Sequence, residues 1–173
     1  MMTDSKVMLR AVEPADVDAI YRWENDPESW TAGLVRQPMS RHQIWEWVAA
    51  QTANPAVDLL QARYIIAPAG APDEPVGCID LEDFDWINRR CGVGIYIEPS
   101  ARRLGYARSA LQLIIDHART MLGLHQLYAT VAADNDASRA LFQSAGFTIS
   151  GRLRSWIRLG SSYTDAYLYQ LLL

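Results

Sequence analysis

Apolar and polar positions change period several times along this chain. Val7 to Arg10 is a short apolar run of strand length. Glu13-Pro14 then introduces helical spacing at Val17, Ile20, Tyr21 and Trp23/Glu24. Proline suits the first helical position, and Asp16 and Asp18 suit the first turns. That helix is predicted to fail near Asp26-Pro27. Ser40-Arg41-His42-Gln43 is a capping-box pattern followed by Ile44, Trp45, Trp47 and Val48, which predicts a second helix to about Thr52. Arg63 to Ala67 reads as a strand, and the Pro-, Gly- and Ala-rich stretch Pro68–Pro75 as a turn. Val76–Phe84 and Arg90–Ile97 read as strands around a turn at Trp86-Ile87-Asn88, with Pro99 ending the second. Tyr106–Leu122 carries the clearest helical face, through Ala107, Ala110, Leu111, Ile114, Ile115, Ala118 and Leu122, with Gly123 as its stop. Gln126–Ala132 follows as a strand, Asn135–Ala145 as a short helix before Gly146, then Phe147–Leu153 and Thr164–Leu172 as two last strands. This order predicts a mixed α/β fold, one domain over residues 1–173, on a single layer of sheet.

Composition agrees with that picture. The 173 residues are 50% apolar and 21% charged, enough for one sizeable core. Met1 to Arg10 lacks the apolar stretch of a signal peptide, and no apolar run approaches the ~18–20 residues of a membrane span. A cytoplasmic location with no membrane partner is expected. Cys78 and Cys91 both fall in strand-like segments and are expected to be buried, reduced thiols. His42, His117 and His125 are isolated, so no metal site is expected. Charge is uneven: residues 1–90 hold 8 Lys/Arg and 15 Asp/Glu, residues 91–173 hold 8 Arg and 5 Asp/Glu. An acidic half suits a cationic partner and a basic half an anionic one. An acidic total, with no basic cluster interleaved with aromatics, argues against nucleic-acid binding.

The most specific local chemistry lies where the strand Gly92–Ile97 meets the long helix. Glu98-Pro99-Ser100 leads into Arg102-Arg103-Leu104-Gly105-Tyr106-Ala107-Arg108. The first turn of a helix has amide N–H groups without internal acceptors, and the helix dipole adds partial positive charge. Gly105 permits positive φ and close backbone approach, and Ala107 keeps the surface low. A pyrophosphate can sit on these amides, with Arg102, Arg103 and Arg108 adding charge. The pattern is neither a Walker A loop nor a dinucleotide fingerprint.

Arg102-x-x-Gly105-x-Ala107 between a strand and a long helix resembles the acyl-CoA signature of the GNAT superfamily of N-acetyltransferases. Asn135-Asp136-Ala137-Ser138-Arg139-Ala140-Leu141-Phe142-Gln143-Ser144-Ala145-Gly146-Phe147 resembles the family's second motif, and Asn88-Arg89-Arg90-Cys91-Gly92-Val93-Gly94-Ile95 its Asn-Arg-Arg strand. The resemblance implies a mostly antiparallel mixed sheet, flanked by helices, with a V-shaped split between two central strands. It implies acetyl-CoA as co-substrate, its pantetheine arm along Ile95, Tyr96 and Ile97 and its pyrophosphate on the amides from Arg103 through Arg108, Leu104 and Tyr106 included. Asn135 and Ser138 would line the pantetheine region, and Phe142 would lie beside the thioester sulfur. The amine would attack the thioester directly, with an amide N–H near Ile97 stabilising the oxyanion. For an amine of pKa near 10.4, deprotonation at pH 7 costs roughly 4–5 kcal/mol, so a base or water chain is needed.

Two departures from the family fall on that chemistry. Many relatives carry tyrosine where this chain has Phe142, and glutamate where it has Gly92. The candidates left for proton transfer are Tyr96, Asp80, Glu82 and Tyr128. Asp80 and Glu82 alternate with Ile79 and Leu81 and therefore share one strand face. On the acceptor side, Glu24, Asp26, Glu28 and Trp30, with Glu82 across the meander, suit a cationic amine through ion pairs and cation–π contact. The pattern is most similar to spermidine/diamine N-acetyltransferases, so a small polyamine is the expected acceptor. It is also similar to ribosomal-protein N-terminal alanine acetyltransferases and aminoglycoside acetyltransferases. A homo-oligomer is a further partner the resemblance allows. The alternative from another class is an acyl-CoA-binding module that no longer catalyses.

Overall fold

A computed structural model describes residues 1–27, 37–53 and 60–173. Eight strands form one sheet: β1 (Met2–Thr3), β2 (Val7–Ala11), β3 (Gln61–Pro68), β4 (Gly77–Asp85), β5 (Arg90–Ile97), β6 (Gln126–Ala132), β7 (Thr148–Leu159) and β8 (Ser162–Leu172). Their spatial order is β1-β2-β3-β4-β5-β6-β8-β7. The described residues also form helices α1 (Val17–Glu24), α2 (Arg41–Ala53), α3 (Tyr106–Thr120) and α4 (Asp136–Ser144). Every strand pairing is antiparallel except β5 with β6, which α3 connects as a crossover.

That parallel pairing is short. It consists of Arg90–Gln126, Cys91–Leu127 and Gly92–Tyr128. Beyond it β5 stays with β4 as far as Gly77–Ile97, while β6 stays with β8 as far as Ala132–Ala166. The sheet therefore opens as a V past Gly92 and Tyr128, as the family resemblance implied.

The side-chain alternation of the strands fills two separate cores. On one face Ile79, Leu81 and Val93 pack with Leu127, Phe142, Phe147 and Tyr169 beneath the buried stripe Ala110, Leu111, Ile114, Ile115 and Ala118 of α3. On the other, Ile65 and Cys78 pack with Ala19, Ile20 and Trp23 of α1 and Ile44 and Val48 of α2. Cys78 and Cys91 are both free and buried, and they belong to opposite cores. Burial pushes both thiols up to about 12. They are packing residues, not nucleophiles.

Local chemistry sets the helix starts. The capping box before α2 is formed: the Gln43 N–H donates to Ser40 Oγ at 3.1 Å and the Ser40 N–H to Gln43 Oε1 at 2.8 Å. Pro14 opens a 3₁₀ turn, Pro14–Asp16, that runs into α1 at Val17. Asp16 is only 2% exposed. It accepts the Glu13 N–H at 2.8 Å and both Arg10 guanidinium nitrogens, Nη1 at 2.7 Å and Nη2 at 2.8 Å.

Three elements differ from the sequence expectation. β1 is a two-residue strand with too little pattern to read. β7 runs to Leu159, not Leu153, and β8 begins at Ser162, not Thr164. Arg154, Ser155 and Arg158 break the apolar alternation because most of β7 is exposed, so pairing with β8 rather than burial holds it. A register shift between Leu153 and Ile157, with Ser155 at φ 47°, is pinned by Asp165, which accepts the Ser155 N–H at 2.7 Å and Arg152 Nε at 2.6 Å.

Asp16→Ala should deprive the half-buried Arg10 guanidinium and the Glu13 amide of their shared acceptor. Urea unfolding should report a loss of about 3 kcal/mol, the usual cost of breaking such a pair from one side.

Candidate functional site

The junction after β5 is a wound turn built for close approach. Pro99–Ala101 forms a 3₁₀ turn, and Arg102 then extends, its Nε donating to the Ile97 carbonyl at 3.0 Å. Arg103 has φ 67° and Gly105 φ 86°, the latter as the N-cap residue of α3. The first hydrogen bond of the helix is Ser109 N–H to Gly105 C=O at 3.2 Å. The amides of Tyr106, Ala107 and Arg108 precede it and have no helical acceptors.

Sequence reading missed one cation here. Lys6 reaches over from the β1–β2 turn, whose backbone Asp4 fixes by accepting the Lys6 and Val7 N–H groups at 2.7 and 2.8 Å. Lys6 Nζ donates to the Leu104 carbonyl at 3.4 Å and lies 2.9 Å from where a Cβ on Gly105 would stand. Arg102, Arg103 and Arg108 are exposed around it. Because Lys6 meets this turn across 98 residues, no local pattern announces it.

α4 flanks the other arm of the V. Asn135 caps it, its Oδ1 accepting the Ser138 N–H at 3.0 Å. Phe142 is 3% exposed, edge-on to Phe147 at 5.1 Å and 6.4 Å from the Tyr169 ring. Its ring belongs to the core.

The polar face of the V lies on the α1/α2 side, where Asp80, Glu82, Gly92 and Gly94 follow Cys78 in alternation. Arg63 from β3 stands opposite Asp80 in register. It donates Nε and Nη2 to the Asp80 carboxylate at 2.7 and 2.8 Å and Nη1 to Glu24 Oε1 at 2.6 Å. The Trp47 ring covers its guanidinium at 4.7 Å. Asp80 and Glu24, expected separately as catalytic and acceptor-binding candidates, are thus two arms of one structural ion cluster. Asp26 is half-buried just past the end of α1. Glu28 and Trp30 lie outside the described residues.

Glu82 and Tyr128 instead flank Gly92. They stand opposite Gly92 from either side, at the last rung before the V opens. A Cβ on Gly92 would lie 3.2 Å from Glu82 Cγ and 3.3 Å from Tyr128 Cε2. Immediately after Glu82 the strand bulges at Asp83, φ 52°, so two carboxylates in succession face outward before Phe84 returns to the core. Surrounding protein, then Asp80 and Asp83, hold the Glu82 carboxyl above its usual range, against the pull of Arg63. Burial, then Asp83 and Glu82, push the Tyr128 hydroxyl up. Tyr96 lies four residues along β5 from Gly92, about 13 Å at strand rise. It packs on Trp23 at 5.8 Å and is not part of this cluster. Among the described residues no group of three side chains could hold a metal ion, and no helix is long and apolar enough to cross a membrane.

Known proteins share this fold. The family model described as acetyltransferase (GNAT) domain matches residues 6–148. The spermidine N(1)-acetyltransferase of Vibrio cholerae is 24% identical over 162 residues, 94% of this chain and 90% of its own. A crystal structure of the spermidine N-acetyltransferase from Vibrio cholerae, in complex with CoA and spermine, superposes with TM-score 0.88 at 24% identity, covering 98% of this chain and 96% of that one. The ribosomal L7/L12 α-N-protein acetyltransferase in complex with coenzyme A superposes with TM-score 0.86 at 19% identity, with the same coverage. At these identities the structures establish the fold.

The ion cluster can be tested without any ligand. Arg63→Met should leave the Asp80 and Glu24 carboxylates facing each other without a cation. It should lower the unfolding free energy by about 3 kcal/mol in urea titration. Adding Asp80→Asn and Glu24→Gln should recover part of that loss.

Proposed function

We infer the reaction from one premise: this chain belongs to the acetyltransferase (GNAT) domain family. It transfers an acetyl group from acetyl-CoA to a primary amine, by direct attack in a ternary complex, and its acceptor is a small polyamine or diamine.

One observation carries the donor side. The V opens at Gly92–Tyr128, and the cation-rimmed turn at Gly105 stands at the far end of the same strand. From Ile97 back to Gly92, β5 advances about 16 Å, a length that an extended pantetheine arm spans. With the pyrophosphate on the amides after Gly105, the thioester would reach the apex of the V. Gly105 suits that site because its left-handed φ and missing side chain leave the backbone open. Lys6, Arg103 and Arg108 would neutralise the phosphates. Asn135 and Ser138 would border the arm from α4. Phe142 brings no hydroxyl, so the leaving thiolate takes its proton from the attacking nitrogen.

The acceptor reading rests on charge. Glu24 and Asp80, paired with Arg63, and the neighbouring Glu82 and Asp83 set four carboxylates against one guanidinium. A net negative apex attracts a molecule that carries more than one ammonium. The Vibrio cholerae relative is named for spermidine, which has that character.

A screen of thiol release from acetyl-CoA decides between readings. Spermidine, spermine and putrescine should be acetylated with higher kcat/KM than an aminoglycoside or a peptide with a free N-terminus. CoA binding with no amine acetylated would leave only an acyl-CoA-binding module. On the donor side, Lys6→Glu should raise KM for acetyl-CoA tenfold or more, as expected for losing about 1.4 kcal/mol or more of charge-assisted binding. Its thermal midpoint should stay in place, because Lys6 is an exposed turn residue. An unchanged KM would show that the phosphates bind elsewhere.

A further inference from the structure

We propose that Glu82 takes the ammonium proton from the acceptor amine and that Gly92 is the residue that makes room for it at the apex of the V. The inference deepens the acetyltransfer reading and rests on it.

Three observations select Glu82 from the acids of this face. The first is availability. Asp80 and Glu24 are held by Arg63 in hydrogen bonds of 2.6 to 2.8 Å, and Asp85 is held by Asn88 and Arg90 in the β4–β5 turn. Glu82 makes no hydrogen bond or ion pair with the described residues. The second is place. Glu82, Gly92 and Tyr128 form one row across β4, β5 and β6, and it is the last row in which all three strands are joined. The third is room. With any side chain at position 92, a Cβ would meet Glu82 Cγ at 3.2 Å and the Tyr128 ring at 3.3 and 3.4 Å. The glycine lets a carboxylate from the neighbouring strand lean into the space a β5 side chain would fill.

The surroundings fit a proton acceptor. Partial burial, and then Asp80 and Asp83 of β4, raise its proton affinity, and Arg63 of β3 opposes them. Glu24 of α1 is neutralised in the Arg63 cluster, and Arg90 of β5 is paired with Asp85 at 3.0 Å. Tyr128 of β6 keeps its proton, because burial, and then Asp83 and Glu82, disfavour a tyrosinate. A hydroxyl that keeps its proton cannot act as the base, which leaves that role to the carboxylate of the row.

The step balances without any further group. The acceptor ammonium gives one proton to the Glu82 carboxylate and becomes a neutral amine. Its nitrogen lone pair forms the C–N bond to the thioester carbonyl carbon. The C–S bond breaks, the thiolate leaves with that electron pair, and it takes the second proton from the nitrogen. Glu82 returns its proton to solvent, which it reaches because it is exposed.

The test uses the intact chain with acetyl-CoA and spermidine. Glu82→Gln should lower kcat/KM for the amine by a hundredfold or more, in the range of lost general-base catalysis, with CoA binding retained. In the wild type the acid limb of kcat/KM should lie above the usual carboxylate range, with activity rising as Glu82 loses its proton. Glu82→Gln should lose that limb, and carboxyl-detected NMR titration should assign the same transition to Glu82. Gly92→Ala should lower the rate at least tenfold with the donor KM kept, since its methyl crowds both neighbours. Near-wild-type turnover in Glu82→Gln with the limb intact would overturn the proposal, and full activity in Gly92→Ala would overturn the role of the glycine. A wild type that acetylates no amine would instead sink the reading beneath it.

Discussion

β5 and β6 share three parallel rungs and then part, and the rest of the molecule is arranged around that separation. Each strand leaves with its own antiparallel partner, β5 with β4 and β6 with β8. Antiparallel pairing is the stronger of the two, so the parallel seam is where the sheet yields. Separated strands expose backbone donors and acceptors that water or a ligand must satisfy. What keeps the halves from drifting is the α3/α4 core, because its cluster includes Ile79 and Val93 from one half and Leu127 and Tyr169 from the other. The V is closed by packing on one face and open to polar groups on the other. A ligand with an extended, amide-bearing arm fits the first requirement, and a charged acceptor fits the second.

The parts of this design that depend on neighbours in sequence were legible in the sequence. The capping box at Ser40–Gln43 and the buried stripe of α3 both express themselves within four residues. So does the turn at Gly105, whose φ of 86° accounts for a glycine at that point. What was not legible depends on register. Arg63 is an ordinary strand arginine until β3 and β4 pair and set it opposite Asp80, 17 residues away, with Glu24 39 residues away in the other direction. Lys6 gains its place only when the first hairpin comes to rest against the N-terminus of α3. The sequence reading therefore named Asp80, Glu82, Tyr96 and Tyr128 on equal terms. Pairing separates them, tying Asp80 to Arg63, setting Tyr96 on Trp23, and placing Glu82 and Tyr128 on either side of Gly92.

Gly92 shows the same limit from the other side. In the sequence it looks like a loss, a position where many proteins of this family carry a glutamate. In the sheet it is a vacancy of one side chain between two neighbours that lean toward it. Cross-strand partners on one face stand close enough to substitute for each other in space. A carboxylate can therefore be moved from β5 to β4 without leaving the apex, provided the position it vacates is left small.

Charge then decides how that carboxylate can act. An ordinary carboxylate is a weak match for an amine whose deprotonation at pH 7 costs roughly 4–5 kcal/mol, and a base gains efficiency as its pKa approaches the working pH. Partial burial, and then Asp80 and Asp83, push Glu82 in that direction. With too many uncompensated acids in the group, Glu82 would hold a proton and cease to be a base, since carboxylates in one site cannot all ionise freely. Arg63 sets the balance. By binding Asp80 and Glu24 together it cancels part of the negative field while leaving Glu82 unbonded. In the proposed reaction, the negative charge that adds to the effect of burial on Glu82 would also attract the acceptor ammonium. Acceptor binding and proton removal thus draw on one electrostatic arrangement, at the opposite end of β5 from the cations of the Gly105 turn.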